Sequence, residues 1–278
     1  MKIELASSYG FCYGVKRAIQ IAEKHKNSFT YGPLIHNKDE IKRLKDGFNI
    51  GLVEKIEEIK NDNAVVIRTH GIPKNELAVL KKQENKIIDA TCPYVTTPQN
   101  IVAKMSSEGY SVVIFGDKAH PEIKGVVSYA NDHNHAFVVL DPVELDSLPL
   151  KNKVALVSQT TKKPADFLKV VNKLILTHKE VRVFNTICNA TFENQDAASE
   201  LAKRADVMIV IGGRHSSNSK MLHSISEQEC KESYLIENET ELNASWFKNK
   251  KLCGISAGAS TPDWIIQNVV NKIEEINN

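Results

Sequence analysis

The stretch Ala64-Val-Val-Ile-Arg-Thr-His70-Gly, followed by a helical pattern and then by Ile87-Ile-Asp-Ala-Thr-Cys92, decides the fold. A short β-branched run, a helix and a second β-branched run predict a strand–helix–strand unit whose two strands are parallel. Runs of this kind alternate with helical patterns along the whole chain. The sequence therefore predicts an α/β protein with parallel sheets.

The same order of strand, helix, strand and cysteine recurs further along the chain. Val154-Ala-Leu-Val-Ser-Gln-Thr160-Thr leads through a helical pattern to Val181-Arg-Val-Phe-Asn-Thr-Ile-Cys188. Leu252-Cys-Gly-Ile-Ser-Ala-Gly-Ala-Ser260 begins a third copy, but the chain stops before a closing strand and cysteine. An apparent strand at the N-terminus leads directly to Cys12 and supplies both. The repeat is therefore circularly permuted.

Three such units predict a trefoil of three small parallel-sheet α/β domains with pseudo-threefold symmetry and about four strands each. We place the first domain at residues 14–92 and the second at 93–187. The third takes residues 188–278 and is completed by the N-terminal strand, residues 1–13. Because no Ser/Gly-rich linker separates these segments, we expect the domains to pack against one another.

Three cysteines, Cys12, Cys92 and Cys188, fall at near-equal intervals, each at a strand-to-helix junction. Three equivalent loops can bring three thiolates to one point, and three is one short of a closed metal site. The pattern therefore predicts a central metal with an open coordination position. An odd number of widely spaced cysteines argues against a disulfide framework. We interpret Cys230, in a polar stretch, as a surface thiol and Cys253, in an apolar run, as a small core residue.

Composition argues against several function classes. Hydrophobic residues make up 42% and charged residues 25% of the chain, which is ordinary for a globular protein. The net charge of +2 gives no reason to expect binding to nucleic acid or to a membrane surface. We find no apolar run of membrane-spanning length and no signal-peptide pattern, so we expect a cytoplasmic location and no membrane partner.

Polar side chains cluster in the strand-to-helix loops, where parallel α/β sheets bind their ligands. The candidates are His36, His70, His120, Glu122, Thr160, Thr161, Ser216, Ser217, Asn218 and Ser260. Imidazoles, hydroxyls, an amide and helix N-termini suit an oxygen-rich anion such as a phosphate, and backbone amides at Gly212, at Gly213 and around Gly258 can add donors. Taken singly, Ser216, Asn218 and Ser260 are equally well explained as helix caps.

Glu122 has two interpretations. It follows His120-Pro and opens a predicted helix, where a carboxylate can do no more than complement the helix dipole. In a closed cavity near a metal, with threonine hydroxyls to relay, the same group can protonate a leaving hydroxyl.

Taken together, these motifs resemble the IspH/LytB family of 4-hydroxy-3-methylbut-2-enyl diphosphate reductases over essentially the full length. The motifs that carry the resemblance are Gly-Phe-Cys12-Tyr-Gly-Val, Gly-Pro-Leu-Ile-His36-Asn, His70-Gly-Ile-Pro, Asp-Ala-Thr-Cys92-Pro, His120-Pro-Glu122, Gln159-Thr160-Thr161, Cys188-Asn-Ala-Thr, Ser216-Ser217-Asn218-Ser and Ala-Gly-Ala-Ser260-Thr-Pro-Asp. Two segments depart from many members: Arg214-His215 before the Ser-Ser-Asn motif, and Thr96-Thr97-Pro98 after Cys92.

The resemblance implies a trefoil fold around a central [4Fe-4S] cluster held by Cys12, Cys92 and Cys188, with the fourth iron acting on the substrate hydroxyl as a Lewis acid. It implies that ferredoxin or flavodoxin supplies two electrons, that Glu122 supplies a proton and that Thr160 orients the hydroxyl. The residues implied to hold the diphosphate are His36, His70, His120, Ser216, Ser217, Asn218 and Ser260. The products would be isopentenyl and dimethylallyl diphosphate, in the last step of the non-mevalonate isoprenoid pathway.

Two other function classes stay open at this point. One is a phosphate-ligand binding protein without redox chemistry, in which the cysteines hold a structural metal. The other is a hydratase-type iron–sulfur enzyme, since hydratases also leave one iron open.

Overall fold

The computed structural model describes residues 1–35, 37–60 and 63–277 of the chain. Its strands are β1 (Lys2–Leu5), β2 (Phe29–Tyr31), β3 (Gly51–Val53), β4 (Ala64–Ile67), β5 (Lys86–Asp89), β6 (Ser111–Phe115), β7 (Ala136–Val139), β8 (Lys153–Ser158), β9 (Glu180–Val183), β10 (Val207–Ile211), β11 (Ser233–Ile236) and β12 (Leu252–Ala257). Its α-helices are α1 (Tyr13–Lys24), α2 (Lys38–Phe48), α3 (Lys74–Lys82), α4 (Pro93–Ser107), α5 (Pro121–Val127), α6 (Pro164–Thr177), α7 (Asn189–Ala202), α8 (Ser217–Glu229) and α9 (Asp263–Asn277).

The strands form three four-stranded sheets that share one topology. Their orders are β3-β2-β4-β5, β7-β6-β8-β9 and β11-β10-β12-β1, and every pairing is parallel. In each sheet the strand that leads to a cysteine lies at one edge. The predicted set of three parallel four-stranded α/β sheets is confirmed.

The third sheet takes its edge strand from the other end of the chain. β1 pairs with β12 over four residue pairs, from Lys2 beside Leu252 to Leu5 beside Ile255. This pairing puts Cys12 at the position that Cys92 and Cys188 hold after β5 and β9. The domain boundaries given above remain a prediction.

Contacts divide the chain into two compact units. Unit 1 comprises Met1–Lys16, Ile35–Phe48 and Asn189–Asn278, and it contains the third sheet. Unit 2 comprises Arg17–Leu34 and Asn49–Cys188, and it contains the other two sheets. Helix α2 thus belongs by its contacts to unit 1, although the sequence places it between two strands of the first sheet.

The central strands supply the core of each unit. All five residues of β6 and all five of β10 are buried, as expected for parallel strands covered on both faces. In unit 1, β10 and β12 pack with α9 through Ile209, Ile255, Ile265 and Val269. Every described helix is too short or too polar to cross a lipid bilayer.

Packing around β12 makes a testable prediction. A Cβ atom added at Gly254 would overlap the side chain of Met208 and lie 2.9 Å from Cγ of Leu201, both in the core of unit 1. We expect Gly254→Ala to lower the free energy of unfolding by about 1–3 kcal/mol, because a filled core must shift to admit the methyl group. Denaturant unfolding measures the change.

Gly47→Ala is the matched control. Gly47 lies in α2, and outside its own stretch of helix no atom of the described residues comes within 4 Å of an added Cβ, so alanine should raise the stability by about 0.5–1 kcal/mol. Equal stability of Gly254→Ala and the unchanged protein would contradict the packing described for β12.

Candidate active site

Each of the three site cysteines is fixed by the same backbone hydrogen bond. The N–H of Cys92 donates to the carbonyl of Thr69 at 3.0 Å, and that of Cys188 to Thr160 at 2.9 Å. The N–H of Cys12 donates to Ala259 at 3.3 Å. Each accepting residue lies two positions beyond the neighbouring strand, which is β4, β8 or β12. The repeat found in the sequence therefore extends to the position of each cysteine backbone.

The three thiols also have similar surroundings. Each cysteine directly precedes a helix and is half-buried. Burial raises the pKa of Cys12, while the N–H groups of Val15 and Gly14 at the start of α1 act in the opposite direction by bonding the sulfur. Helix N-termini favour the thiolate, which is the form that binds metals.

The three cysteines are divided between the two compact units. Cys12 belongs to unit 1, and Cys92 and Cys188 belong to unit 2. Within residues 1–35, 37–60 and 63–277, no three His, Cys, Asp or Glu side chains form a metal-binding group. A metal held jointly by these cysteines therefore stays a prediction.

Glu122 lies in the interior of unit 2, where 1% of its surface is exposed. It occupies the second position of α5, and its carboxylate accepts two hydrogen bonds from Thr160, one from the backbone N–H at 2.8 Å and one from the hydroxyl at 2.7 Å. Desolvation raises the pKa of Glu122, and the bonds from Thr160 lower it by a smaller amount. A partner of the helix dipole must be ionised, whereas burial favours the protonated form of Glu122, so this environment favours the acid interpretation.

Thr160 joins this acid to one of the cysteines. Its N–H and hydroxyl donate to Glu122, and its carbonyl accepts the N–H of Cys188. Thr69, at the equivalent place before Cys92, instead donates its hydroxyl to the carbonyl of Leu34 at 3.0 Å. The link between an acid and a cysteine is thus specific to the second sheet.

Two predicted histidines lie side by side in unit 2. The rings of His70 and His120 are in edge-to-face contact, with centroids 5.4 Å apart. His120 caps α5, and its Nδ1 accepts the N–H of Glu122 at 3.2 Å. Thr161 accepts a hydrogen bond from Gln159 at 3.2 Å, and Gln159 also accepts the N–H of Asp117. His36 lies outside the described residues.

The remaining predicted ligands lie in unit 1. Ser216 caps α8 by accepting the N–H of Ser219 at 3.3 Å, as its sequence position suggested. Ser217 and Asn218 are the first two residues of that helix, and Ser260 is half-buried in the loop between β12 and α9. Asn218 is 6% exposed, yet neither its side-chain oxygen nor its nitrogen has a hydrogen-bond partner among the described residues. Buried amides are normally hydrogen-bonded, so this side chain has donor and acceptor capacity left for a ligand or a water molecule.

Two glycine amides proposed as anion donors are engaged elsewhere. The N–H of Gly212 donates to the carbonyl of Ile236 at 2.8 Å, so the expectation was wrong for Gly212. The N–H of Gly258 itself donates to the carbonyl of Ile211 at 2.8 Å, and the expectation for the amides around it stays a prediction. Gly212 and Gly258 lack side chains for a reason of packing. A Cβ atom at either position would overlap the hydroxyl of Ser219, a buried residue that the sequence did not single out.

Three further residues singled out in the sequence have defined surroundings. Arg214 pairs with Glu241, and its backbone N–H donates to Glu237 at 2.9 Å, so it braces the loop before Ser216. Cys230 is 6% exposed and packs with Ala197 and Leu201, so it is not a surface thiol. The polar residues next to Cys230 in the sequence gave no sign that its side chain faces the core. Cys253 is fully buried as predicted, and burial raises its pKa to about 12.

Comparison with known proteins gives the same family as the sequence motifs. A family model described as LytB protein matches residues 3–274. The chain belongs to the LytB protein family. Over 276 residues it is 73% identical to the 4-hydroxy-3-methylbut-2-enyl diphosphate reductase of Sulfurovum sp. (strain NBC37-1), with 99% of this chain and all of that protein covered. The enzyme of the same name from Sulfurimonas denitrificans is 63% identical over 274 residues, with 99% of each covered.

Solved structures of LytB-type enzymes share the fold. A structure of (E)-4-hydroxy-3-methyl-but-2-enyl diphosphate reductase, called the terminal enzyme of the non-mevalonate pathway, is 42% identical with a TM-score of 0.75, covering 99% of this chain and 100% of that one. The E-1-hydroxy-2-methyl-but-2-enyl-4-diphosphate reductase from Plasmodium falciparum is 27% identical with a TM-score of 0.89, covering 97% of this chain and 86% of that one.

The environment of Glu122 predicts a pH dependence of stability. Because burial holds its pKa above the usual value of 4.5, the protonated form stabilises the fold, and this contribution is lost as the pH rises through the raised pKa. We expect Glu122→Gln, which stays neutral, to gain stability relative to the unchanged protein from pH 4.5 upward. Denaturant unfolding at a series of pH values measures the difference.

Glu144→Gln is the control of opposite sign. Hydrogen bonds from the N–H groups of Leu140 and Asp141 lower the pKa of Glu144, so its contribution is lost as the pH falls. The difference in free energy of unfolding between Glu144→Gln and the unchanged protein should be constant near neutral pH and change only at acidic pH. If the free energy of unfolding of Glu122→Gln differs from that of the unchanged protein by the same amount at every pH, the raised pKa of Glu122 is contradicted.

Proposed function

We propose that this protein is a 4-hydroxy-3-methylbut-2-enyl diphosphate reductase that forms isopentenyl and dimethylallyl diphosphate. One observation carries the proposal: a buried acid, Glu122, is bonded through Thr160 to the backbone of Cys188. A proton donor beside a metal-binding cysteine is what removal of a hydroxyl group as water requires. The names of the similar proteins support the reductase over a hydratase or a phosphate-binding protein.

We assign the cluster to Cys12, Cys92 and Cys188. The donor set fits, because three thiols in equivalent loops, each before a helix N-terminus, are the ligands that iron–sulfur clusters take. When bound, a [4Fe-4S] cluster with one iron not ligated by protein supplies the electrons and a Lewis acid for the substrate hydroxyl. Ferredoxin or flavodoxin is the proposed source of those electrons, and the cytoplasm the proposed location.

The reaction adds two electrons and two protons, breaks the carbon–oxygen bond, forms a carbon–hydrogen bond and releases water. Glu122 is the proposed donor of the proton that leaves with the oxygen. Its raised pKa keeps the carboxylic acid protonated to a higher pH than an exposed glutamate. After transfer, the N–H and hydroxyl of Thr160 stabilise the carboxylate that remains. Thr160 also fixes the direction in which the acid faces.

The diphosphate is assigned to the predicted polar loops. Asn218 offers a buried amide without a partner among the described residues, and it lies in the first turn of α8, where backbone N–H groups favour an anion. The other proposed ligands are His36, His70, His120, Ser216, Ser217 and Ser260. Imidazole N–H and hydroxyl donors form charge-assisted hydrogen bonds to the ionised phosphate oxygens.

Turnover and iron content test the cluster assignment. Anaerobically purified protein should contain iron and sulfide and should turn over the hydroxy-diphosphate with a reduced dye. Cys12→Ser, Cys92→Ser and Cys188→Ser should each lose most of the bound iron and the activity, because each removes a cluster ligand. Cys230→Ala and Cys253→Ala are the matched controls and should retain both. Active protein without iron would contradict the proposal.

A second substitution separates proton transfer from binding. Glu122→Gln keeps the shape of the side chain and removes the acid, so kcat should fall by about 10²–10⁴-fold with iron content unchanged. Binding of the substrate, followed by calorimetry, should stay within about twofold. Activity close to that of the unchanged enzyme would remove Glu122 from this role.

A further inference from the structure

A buried carboxylate outside the assigned site ties two helices together. Glu40, in the first turn of α2, has 1% of its surface exposed. Its two oxygens accept hydrogen bonds from Nε and Nη2 of Arg43, at 2.9 and 2.6 Å. The indole N–H of Trp264, in the first turn of α9, donates to the same carboxylate at 3.0 Å. A buried charge with this set of donors is fixed in place, because any displacement leaves it unpaired.

The position of this contact along the chain relates it to substrate binding. Trp264 follows Ser260, which is assigned to the diphosphate, by four residues. The hydrogen bond from Trp264 to Glu40 therefore attaches the start of α9, directly after the Ser260 loop, to α2. Both helices belong to unit 1.

A second contact connects α2 with the loop before Ser216. The amide of Asn238 donates to the carboxylate of Asp39 at 3.1 Å. Asn238 follows directly after Glu237, which accepts the backbone N–H of Arg214 at 2.9 Å. Helix α2 is thereby attached to the segment that leads into the cap of α8.

We propose that Glu40 is a positioning residue for diphosphate binding: through Trp264 and α2 it holds the Ser260 loop at a fixed spacing from the segment that leads to Ser216. The inference rests on the proposed function for the identity of the ligand. Fixing the loops before the ligand arrives removes an entropy cost from binding, so the effect belongs to affinity rather than to the chemical step.

Two conservative variants test this role. Trp264→Phe keeps an aromatic ring and removes the N–H donor, and Glu40→Gln keeps the size and the oxygen acceptor but removes the charge. Glu275→Ala is the control, since Glu275 carries an exposed ion pair with Lys272 on the same helix α9. Inorganic diphosphate is the binding probe, measured by calorimetry on the protein as purified.

We expect Trp264→Phe to weaken inorganic diphosphate binding and to raise KM about tenfold, because loops that the lost hydrogen bond ordered in the free protein must then be ordered when the ligand binds. Its kcat and iron content should stay within about twofold. Glu40→Gln, which keeps an acceptor for the indole, should be affected less than Glu40→Ala. Glu275→Ala should match the unchanged protein.

Two results would overturn the inference. One is unchanged diphosphate affinity in both Trp264→Phe and Glu40→Gln. The other is a parallel loss of kcat, iron and thermal stability, which would make Glu40 a merely structural residue. Weakened diphosphate binding supports the inference even if the unchanged protein fails to reduce the hydroxy-diphosphate. That failure would overturn the proposed function alone.

Discussion

The hydrogen bond from each site cysteine to the neighbouring strand loop is the constraint on which the site depends. In all three sheets a cysteine N–H donates to the carbonyl two residues beyond the adjacent parallel strand. Parallel strands end at the same edge of a sheet, so this bond fixes a cysteine at that edge and starts a helix after it. The third copy exists because β1 pairs with β12 across the two ends of the chain.

One of these loops carries more than a cysteine. In the second sheet the accepting residue is Thr160, whose remaining two donors both hold Glu122. Desolvation favours the protonated acid, while the bonds from Thr160 favour the carboxylate. The two opposing effects suit a group that must hold a proton, release it and remain stable afterwards. At the equivalent position of the first sheet, the hydroxyl of Thr69 is used by a carbonyl instead, and Ala259 has no hydroxyl to offer an acid.

Much of this arrangement could be predicted from sequence. Alternating β-branched runs and helical patterns indicated the three sheets, and the missing strand before the end of the chain pointed to residues 1–13. The cap at Ser216 followed from residue type. Local sequence could not reveal that Cys230 faces the core or that the amides of Gly212 and Gly258 are used by the sheet. It also gave no sign of the bond between Glu40 and Trp264, because that contact joins helices more than two hundred residues apart.

We propose that three cysteines hold a cluster whose fourth iron binds the substrate. Mössbauer spectroscopy of the ⁵⁷Fe-enriched protein, with and without the hydroxy-diphosphate, measures this binding at the iron. We expect about one quarter of the iron signal to change when substrate binds, since one iron of four lacks a protein ligand. A spectrum in which no iron responds to a bound substrate would contradict it.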